Sequence, residues 1–121
     1  MNLHEKLNYV EFAAKDLSAT KAFFTAAFNW AFTDYGPEYA AFNNEGLDGG
    51  FYAAPLHSSA SAGGALLVFY SEKLEDTLAK VEKASGKVNL PIFPFPGGRR
   101  FHFIEPSGNE FAVWSNFLRH F

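Results

Sequence analysis

The 121-residue chain has no cysteine, which excludes disulfides, a thiol nucleophile and a zinc–thiolate site. Its apolar runs are far shorter than the roughly 18 residues needed to cross a bilayer, and no apolar signal region follows the charged residues at its start. Lys and Arg are scattered and the net charge is −3, so there is no basic stripe for nucleic acid. We therefore expect a cytoplasmic protein that binds neither nucleic acid nor membranes.

Apolar and aromatic side chains are what the chain has in abundance. Apolar residues make up 48% of the sequence and 15 residues are Phe, enough for the core of a single domain spanning residues 1–121. The clearest local pattern lies between Phe101 and Ser115. Phe101 and Phe103 alternate with polar neighbours, a Pro- and Gly-containing turn follows, and Phe111 and Val113 alternate again. This pattern predicts a β-hairpin.

The order of predicted elements occurs twice along the chain. Residues 7–54 have the patterns of a strand, a helix and three strands, and residues 65–115 repeat that order. The small, polar residues 55–64 between them predict a mobile connection. A helix after the first strand of each half, followed by a meander, predicts an α+β fold with helices on one face of curved sheets. The apolar tail, residues 116–121, suggests a surface for a partner.

Two motifs carry a family resemblance. The first is the strand and helix start from Tyr9 to Phe24, with the helix end Phe28-Asn29-Trp30, and the second is the turn Glu105-Pro106-Ser107-Gly108-Asn109. Together they resemble the glyoxalase/bleomycin resistance/dioxygenase group, the vicinal oxygen chelate superfamily, which usually has Asp in place of Glu105. The resemblance covers about residues 7–115. It implies two βαβββ modules whose curled mixed sheets surround a shared cavity, and it implies a homodimer, which family members commonly form.

The resemblance also implies where a metal ion would bind. Metal-dependent members hold one divalent ion with His, Glu or Gln side chains on the first and last strands of each module, leaving positions open for substrate oxygens. The corresponding positions here carry Tyr9, Ala65 or Leu66, and Ala112, while Tyr52 is the only polar side chain over residues 49–54, the predicted last strand of the first module. Apolar side chains cannot coordinate an ion. We therefore expect neither a metal ion nor another cofactor.

Strand alternation selects the side chains that should face the cavity. If Ala112 points inwards, its neighbours two residues away do so too, and Tyr9 shares an inner face with Glu11. Aromatic walls with a few polar groups are typical of small-molecule sites, and two carboxylates in different environments can divide acid and base roles. The candidate catalytic residues are Glu11 and Glu110, and the candidate ligand-binding residues are Tyr9, Tyr52, Arg100, His102 and Trp114.

Each of these residues has a plainer alternative. The two candidate carboxylates, Glu11 and Glu110, are also compatible with a solvated strand face or with pairing to Arg99 or Arg100, since exposed carboxylates greatly outnumber catalytic ones. His102 is as compatible with a hydrogen-bonded wall as with a base. A new metal site built from both carboxylates and His102 is conceivable, although no short ligand spacing supports it.

Three functions therefore remain open. The first is a metal-free protein that binds a small hydrophobic or aromatic molecule. The second is a lyase or isomerase of the glyoxalase family that uses Glu11 or Glu110 as general base and Tyr9 or His102 as proton donor. The third is an interaction or regulatory module. The sequence does not decide whether the protein is an enzyme.

Overall fold

The computed structural model describes residues 2–117, so Met1 and residues 118–121 of the apolar tail lie outside the described residues. The first half consists of β1 (Tyr9–Ala14), α1 (Leu17–Phe28), β2 (Phe32–Asp34), β3 (Tyr39–Glu45) and β4 (Leu47–Ala53). A short 3-10 helix (Ala60–Ala62) precedes the second half, which consists of β5 (Leu67–Tyr70), α2 (Leu74–Lys83), β6 (Lys87–Phe95), β7 (Gly98–Ile104) and β8 (Glu110–Ser115). The predicted βαβββ order thus occurs twice.

Each half folds into one four-stranded mixed sheet. The strand order is β1-β4-β3-β2 in the first, sheet A, and β5-β8-β7-β6 in the second, sheet B. The first strand of each half runs parallel to the last, and the remaining pairs are antiparallel. The α+β fold of two βαβββ modules is therefore confirmed. Neither α-helix in the described part of the chain has the length and apolar character needed to cross a membrane.

Asp16 caps the start of the first helix, which ends two residues earlier than the sequence predicts. The Asp16 carboxylate accepts the Ala19 N–H at 3.1 Å, which satisfies one of the free donors at the helix start. The sequence predicts a helix to about Trp30, but Asn29 adopts a left-handed conformation with φ 60° and its N–H bonds the Thr25 carbonyl. Such a residue closes a helix, because the chain then turns away from the helix axis.

A single aromatic core lies between the two sheets. The ring of Phe24 on α1 is 5.5 Å from Phe51 of sheet A and 5.3 Å from Phe111 of sheet B, measured between ring centroids. Phe12 of β1 is 5.1 Å from Phe111. Each sheet thus turns one face, its back face, to this core. Because side chains alternate along a strand, the residues between these positions lie on the opposite, front face of each sheet.

The turn between β7 and β8 fastens the two halves together. Glu105 is 1% exposed, and its carboxylate accepts hydrogen bonds from the Thr20 hydroxyl at 2.6 Å and from the Asn109 side-chain amide at 2.7 Å. It also accepts the backbone N–H groups of Ser107 and Asn109. Asn109 in turn donates to the Ala13 carbonyl on β1 at 2.8 Å. The turn motif therefore holds sheet B against α1 and β1.

Candidate functional site

The front face of sheet A carries three tyrosines around one carboxylate. The register places Tyr39 opposite Tyr52, and Glu11 beside Gly50. A Cβ atom on Gly50 would lie 2.1 Å from the Tyr39 hydroxyl oxygen, so only glycine lets the Tyr39 ring lie across β4. The space left by the missing side chain allows the phenol of Tyr39 to reach the Glu11 carboxylate. Tyr9 completes the group.

These side chains form a directed chain of hydrogen bonds. The Tyr39 hydroxyl donates to Glu11 Oε2 at 2.9 Å, and the hydroxyl oxygens of Tyr9 and Tyr39 are 2.6 Å apart. Since a phenol has one proton and that of Tyr39 goes to Glu11, Tyr9 must donate to Tyr39. Burial, together with the hydrogen bonds to Tyr9 and Glu11, raises the pKa of the Tyr39 phenol well above its ordinary value of 10.0. The phenol therefore stays protonated at neutral pH.

Sheet B carries a second chain of hydrogen bonds on its own front face. The ring of His102 on β7 lies with Nδ1 2.9 Å from Glu110 Oε2, and the Arg100 Nη2 atom lies 3.0 Å from His102 Nε2. A guanidinium group has no acceptor, so Nε2 must accept and the ring proton must be on Nδ1. His102 is consequently a neutral imidazole that donates to Glu110.

Glu110 is the final acceptor in this chain of hydrogen bonds. Both Glu110 and His102 are only 7% exposed. Burial by itself would raise the pKa of Glu110, but hydrogen bonds from the Ala60 N–H, His102 and the Asn89 amide outweigh it, and the pKa lies below its ordinary value. The Ala60 bond, at 2.9 Å to Oε1, also ties the connection between the halves to β8. Glu110 is thus an ionised acceptor with both oxygens occupied.

The remaining polar and aromatic residues of sheet B form a cationic–aromatic patch. The Arg100 guanidinium lies 5.9 Å and 5.7 Å from the ring centroids of Phe93 and Phe95. The Trp114 ring lies 6.1 Å from Phe95 and 5.1 Å from Tyr70. Of the two adjacent arginines, Arg99 is paired with Glu75, whereas Arg100 is hydrogen-bonded to His102.

The seven predicted site residues therefore lie in two groups. Those of sheet A are Tyr9, Glu11 and Tyr52, and those of sheet B are Arg100, His102, Glu110 and Trp114. Across residues 2–117, no hydrogen bond, ion pair or ring contact joins one group to the other. Each group lies on the sheet face that strand alternation predicts. Within residues 2–117 of a single polypeptide, however, the two groups do not form one pocket.

Tyr39 is the site residue that the sequence analysis missed. It begins a predicted strand and has the same two-residue phase as Ala41, which lies opposite Gly50. The adjacent pair Gly49-Gly50 on a strand signals a close approach of another group. That signal is present in the sequence, although it does not identify which aromatic ring fills the gap.

A cavity between the two sheets contains none of the seven residues. It has a volume of about 670 Å³ and lies between β1, the β3–β4 turn and β5, where the two sheets come together without pairing. Its walls are mainly apolar side chains of the core, among them Val10, Phe12, Trp30, Phe42, Phe69 and Phe111. The cavity is thus an opening into the core, although the front-face residues Val68 and Tyr70 also line it.

The donor set does not fit the divalent ion implied by the resemblance. Tyr9 at the first-strand position is hydrogen-bonded to another phenol, and Ala112 at the last-strand position is fully buried with no donor atom. Glu11 lies on sheet A, away from His102 and Glu110, so these three do not form the alternative site. No group of three His, Cys, Asp or Glu side chains that could hold a metal occurs in the described part of the chain. A metal-free protein remains a prediction.

Comparisons with known proteins agree with this fold. The family model described as Glyoxalase/Bleomycin resistance protein/Dioxygenase superfamily matches residues 6–113. No curated protein sequence matches the chain. Among solved structures, the chain is similar to a glyoxalase-related enzyme from Fulvimarina pelagi, with a TM-score of 0.77 and 16% identity over 92% of this chain and 88% of that one.

Two further solved structures have the same architecture. A glyoxalase/bleomycin resistance protein/dioxygenase family enzyme from Burkholderia phytofirmans PsJN has a TM-score of 0.76 and 15% identity, covering 93% of this chain and 99% of that one. The genomically encoded fosfomycin resistance protein FosX from Listeria monocytogenes has a TM-score of 0.76 and 18% identity, covering 93% and 94%. At such identities the similarity shows the fold alone.

Proposed function

The chain belongs to the glyoxalase/bleomycin resistance protein/dioxygenase superfamily, and from this premise we propose that it is a metal-free protein that binds a small hydrophobic or aromatic molecule. The observation that carries the proposal is the replacement at the metal-ligand positions. Tyr9 stands where the first ligand is expected and is 48% exposed, and Tyr52, on the same face of sheet A, is 40% exposed. Exposed aromatic rings around a few fixed polar groups suit recognition of a small molecule better than coordination of an ion.

A second copy of the chain is part of this proposal. The front faces carry exposed aromatic and aliphatic side chains on both sheets, namely Tyr9, Tyr52, Val68, Tyr70 and Leu90. Neither face alone encloses a small molecule, and within residues 2–117 β1 and β5 are edge strands, each paired on one side only. A homodimer that covers these faces would bury the apolar side chains and enclose the ligand.

The lyase or isomerase alternative depends on the two carboxylates. Glu110 accepts three hydrogen bonds and its pKa is lowered, which favours a role in positioning His102 over proton abstraction. His102 Nε2 is occupied by Arg100. Glu11 accepts one hydrogen bond at Oε2 and is exposed, so it is the better candidate for a general base. The interaction-module alternative requires neither carboxylate.

Two measurements test the proposal together. Protein incubated with nickel, zinc, iron or manganese and then dialysed is expected to retain no stoichiometric metal by elemental analysis. A thermal-shift screen over small aromatic molecules is expected to find a compound that raises Tm, because a ligand of the folded state stabilises it. A bound ion held by three or more side chains would contradict the metal-free assignment.

Variants then separate binding from catalysis. If Glu11→Gln leaves the affinity for the compound found in the screen intact and abolishes its conversion, the enzyme alternative is correct. Tyr52→Ala is expected to weaken binding by about tenfold, since it removes an aromatic wall. Unchanged affinity in Tyr52→Ala and in Trp114→Ala would show that the front faces are not the binding site.

A further inference from the structure

The side chains on the front face of sheet A restrict the chemical class of ligand that can bind there. We propose that the ligand carries a protonated amine, which binds to the Glu11 carboxylate, to the Tyr9 hydroxyl oxygen and against the surrounding tyrosine rings. This inference rests on the proposed function, because it assigns a ligand class to the same face.

The first step is an inventory of hydrogen-bond donors. Tyr9 donates its only proton to Tyr39, and Tyr39 donates its only proton to Glu11 Oε2. The capacity that this chain leaves for a ligand consists of acceptors, namely Glu11 Oε1 and the hydroxyl oxygen of Tyr9. A group bound by this chain must therefore be a hydrogen-bond donor.

The second step is the charge of the sheet. The four strands of sheet A have no Lys, Arg or His, and Asp48 lies beside Tyr9 on the front face. Glu11 is exposed, and in the described part of the chain it forms no ion pair. A cationic donor satisfies both the acceptors and the negative charge, whereas a neutral alcohol satisfies the acceptors alone.

The third step is the aromatic surround. Tyr9, Tyr39 and Tyr52 lie on the same face of adjacent strands, and the negative face of an aromatic ring attracts an ammonium group. The arrangement is fixed by Gly50, because a side chain there would displace the Tyr39 phenol from Glu11. A divalent cation is a poorer match, since it would need more carboxylate or imidazole ligands than this face supplies.

The proposal is tested with a pair of probes that differ in charge. Benzylammonium and benzyl alcohol are titrated separately into full-length protein labelled with nitrogen-15, and binding is followed from backbone amide shifts. We expect benzylammonium to bind about tenfold more tightly than benzyl alcohol. We expect its shifts to centre on Glu11 and Gly50.

Two carboxylate variants provide the matched comparison. Glu11→Gln keeps an acceptor for the Tyr39 hydroxyl but removes the charge, so its affinity for benzylammonium should fall to that for benzyl alcohol. Glu82→Gln removes the same charge from an exposed position on α2 and should leave the tenfold preference unchanged. Circular dichroism confirms that each variant is folded.

The outcomes separate this inference from the proposed function. Equal affinity for the two probes, or an unchanged benzylammonium affinity in Glu11→Gln, overturns the amine assignment, and front-face shifts by both probes would then still support small-molecule binding. If neither probe shifts front-face resonances at about 10 mM, the amine assignment falls, and an aromatic hit from the thermal-shift screen decides the proposed function on its own.

Discussion

At the scale of single residues, Glu105 is a carboxylate surrounded by donors. Its two oxygens accept four hydrogen bonds, from Thr20, Ser107 and Asn109. In Glu105→Gln, an NH2 group would replace one of the two carboxylate oxygens. The buried donors that face that oxygen would then lose their hydrogen-bond acceptor. We expect the free energy of unfolding, measured with urea, to fall by about 2–3 kcal/mol. The exposed control Glu38→Gln should change it by less than about 0.5 kcal/mol, and an equally small effect of Glu105→Gln would contradict this role.

Glu110 gives a prediction about pH. Its pKa is lower in the folded chain than the ordinary value of 4.5, so its ionised form contributes stability above that value. This contribution is lost as the pH falls through the lowered, folded pKa. Unfolding measured from neutral pH down to about pH 3 should therefore show a steeper acid loss in the wild type than in Glu110→Gln.

Glu82→Gln serves as the control for that measurement, because it removes an exposed carboxylate and should keep the acid dependence of the wild type. Acid profiles that coincide for the wild type and Glu110→Gln would show that the hydrogen bonds of Glu110 do not favour its ionised form.

For single residues of the site, the sequence predicts only the sheet face on which each side chain lies. Two-residue alternation places Tyr9, Glu11, Glu110 and Trp114 on front faces, as the structure does. Alternation says nothing of partners, which depend on the register between strands and on the rotamer of each side chain. The bond from Tyr39 to Glu11 crosses β4 and arises from that register.

At the scale of elements, the packing of Tyr39 on β3 across β4 depends on the absence of a side chain at Gly50. An alanine Cβ would lie 2.1 Å from the Tyr39 hydroxyl oxygen, so Gly50→Ala must move the ring and break its bonds to Tyr9 and Glu11. We expect the pKa of Tyr39 to fall towards 10.0 in this variant. In a pH titration followed by tyrosinate absorbance, the wild type should show one component that ionises at unusually high pH, and its loss in Tyr39→Phe would assign it to Tyr39. Gly50→Ala should lose the same component. A late component that persists in Gly50→Ala would contradict the arrangement.

The lengths of elements and the connection between them were harder to predict than their order. The sequence predicts strands from Leu7 and Ala65, whereas β1 begins at Tyr9 and β5 at Leu67, where pairing to the neighbouring strand begins. A strand needs a partner as well as a pattern. Composition predicts a mobile connection over residues 55–64, yet the backbone of this connection is hydrogen-bonded to Glu110 on β8. These bonds join residues about 50 positions apart in the sequence, and local composition does not encode such contacts.

At the scale of the whole molecule, the exposed front faces and edges carry a prediction of self-association. Val68 and Tyr70 lie on the edge strand β5, are exposed, and border the 670 Å³ opening into the core. Covering them by a second copy would remove apolar surface from water and close that opening. Light scattering at about 100 µM should give a mass of twice 13.4 kDa.

A charge placed on the edge strand tests which surface forms the dimer. Val68→Lys should shift the mass to that of one chain, because an ammonium group buried in an apolar contact is costly. Ala79→Lys adds the same charge on the exposed surface of α2, away from both front faces, and should remain dimeric. A monomeric wild type would contradict the homodimer, and a dimeric, folded Val68→Lys would place the contact elsewhere. If Val68→Lys becomes monomeric and also loses ligand binding, the two chains enclose the ligand together, which would explain why one chain leaves its two groups of site residues apart.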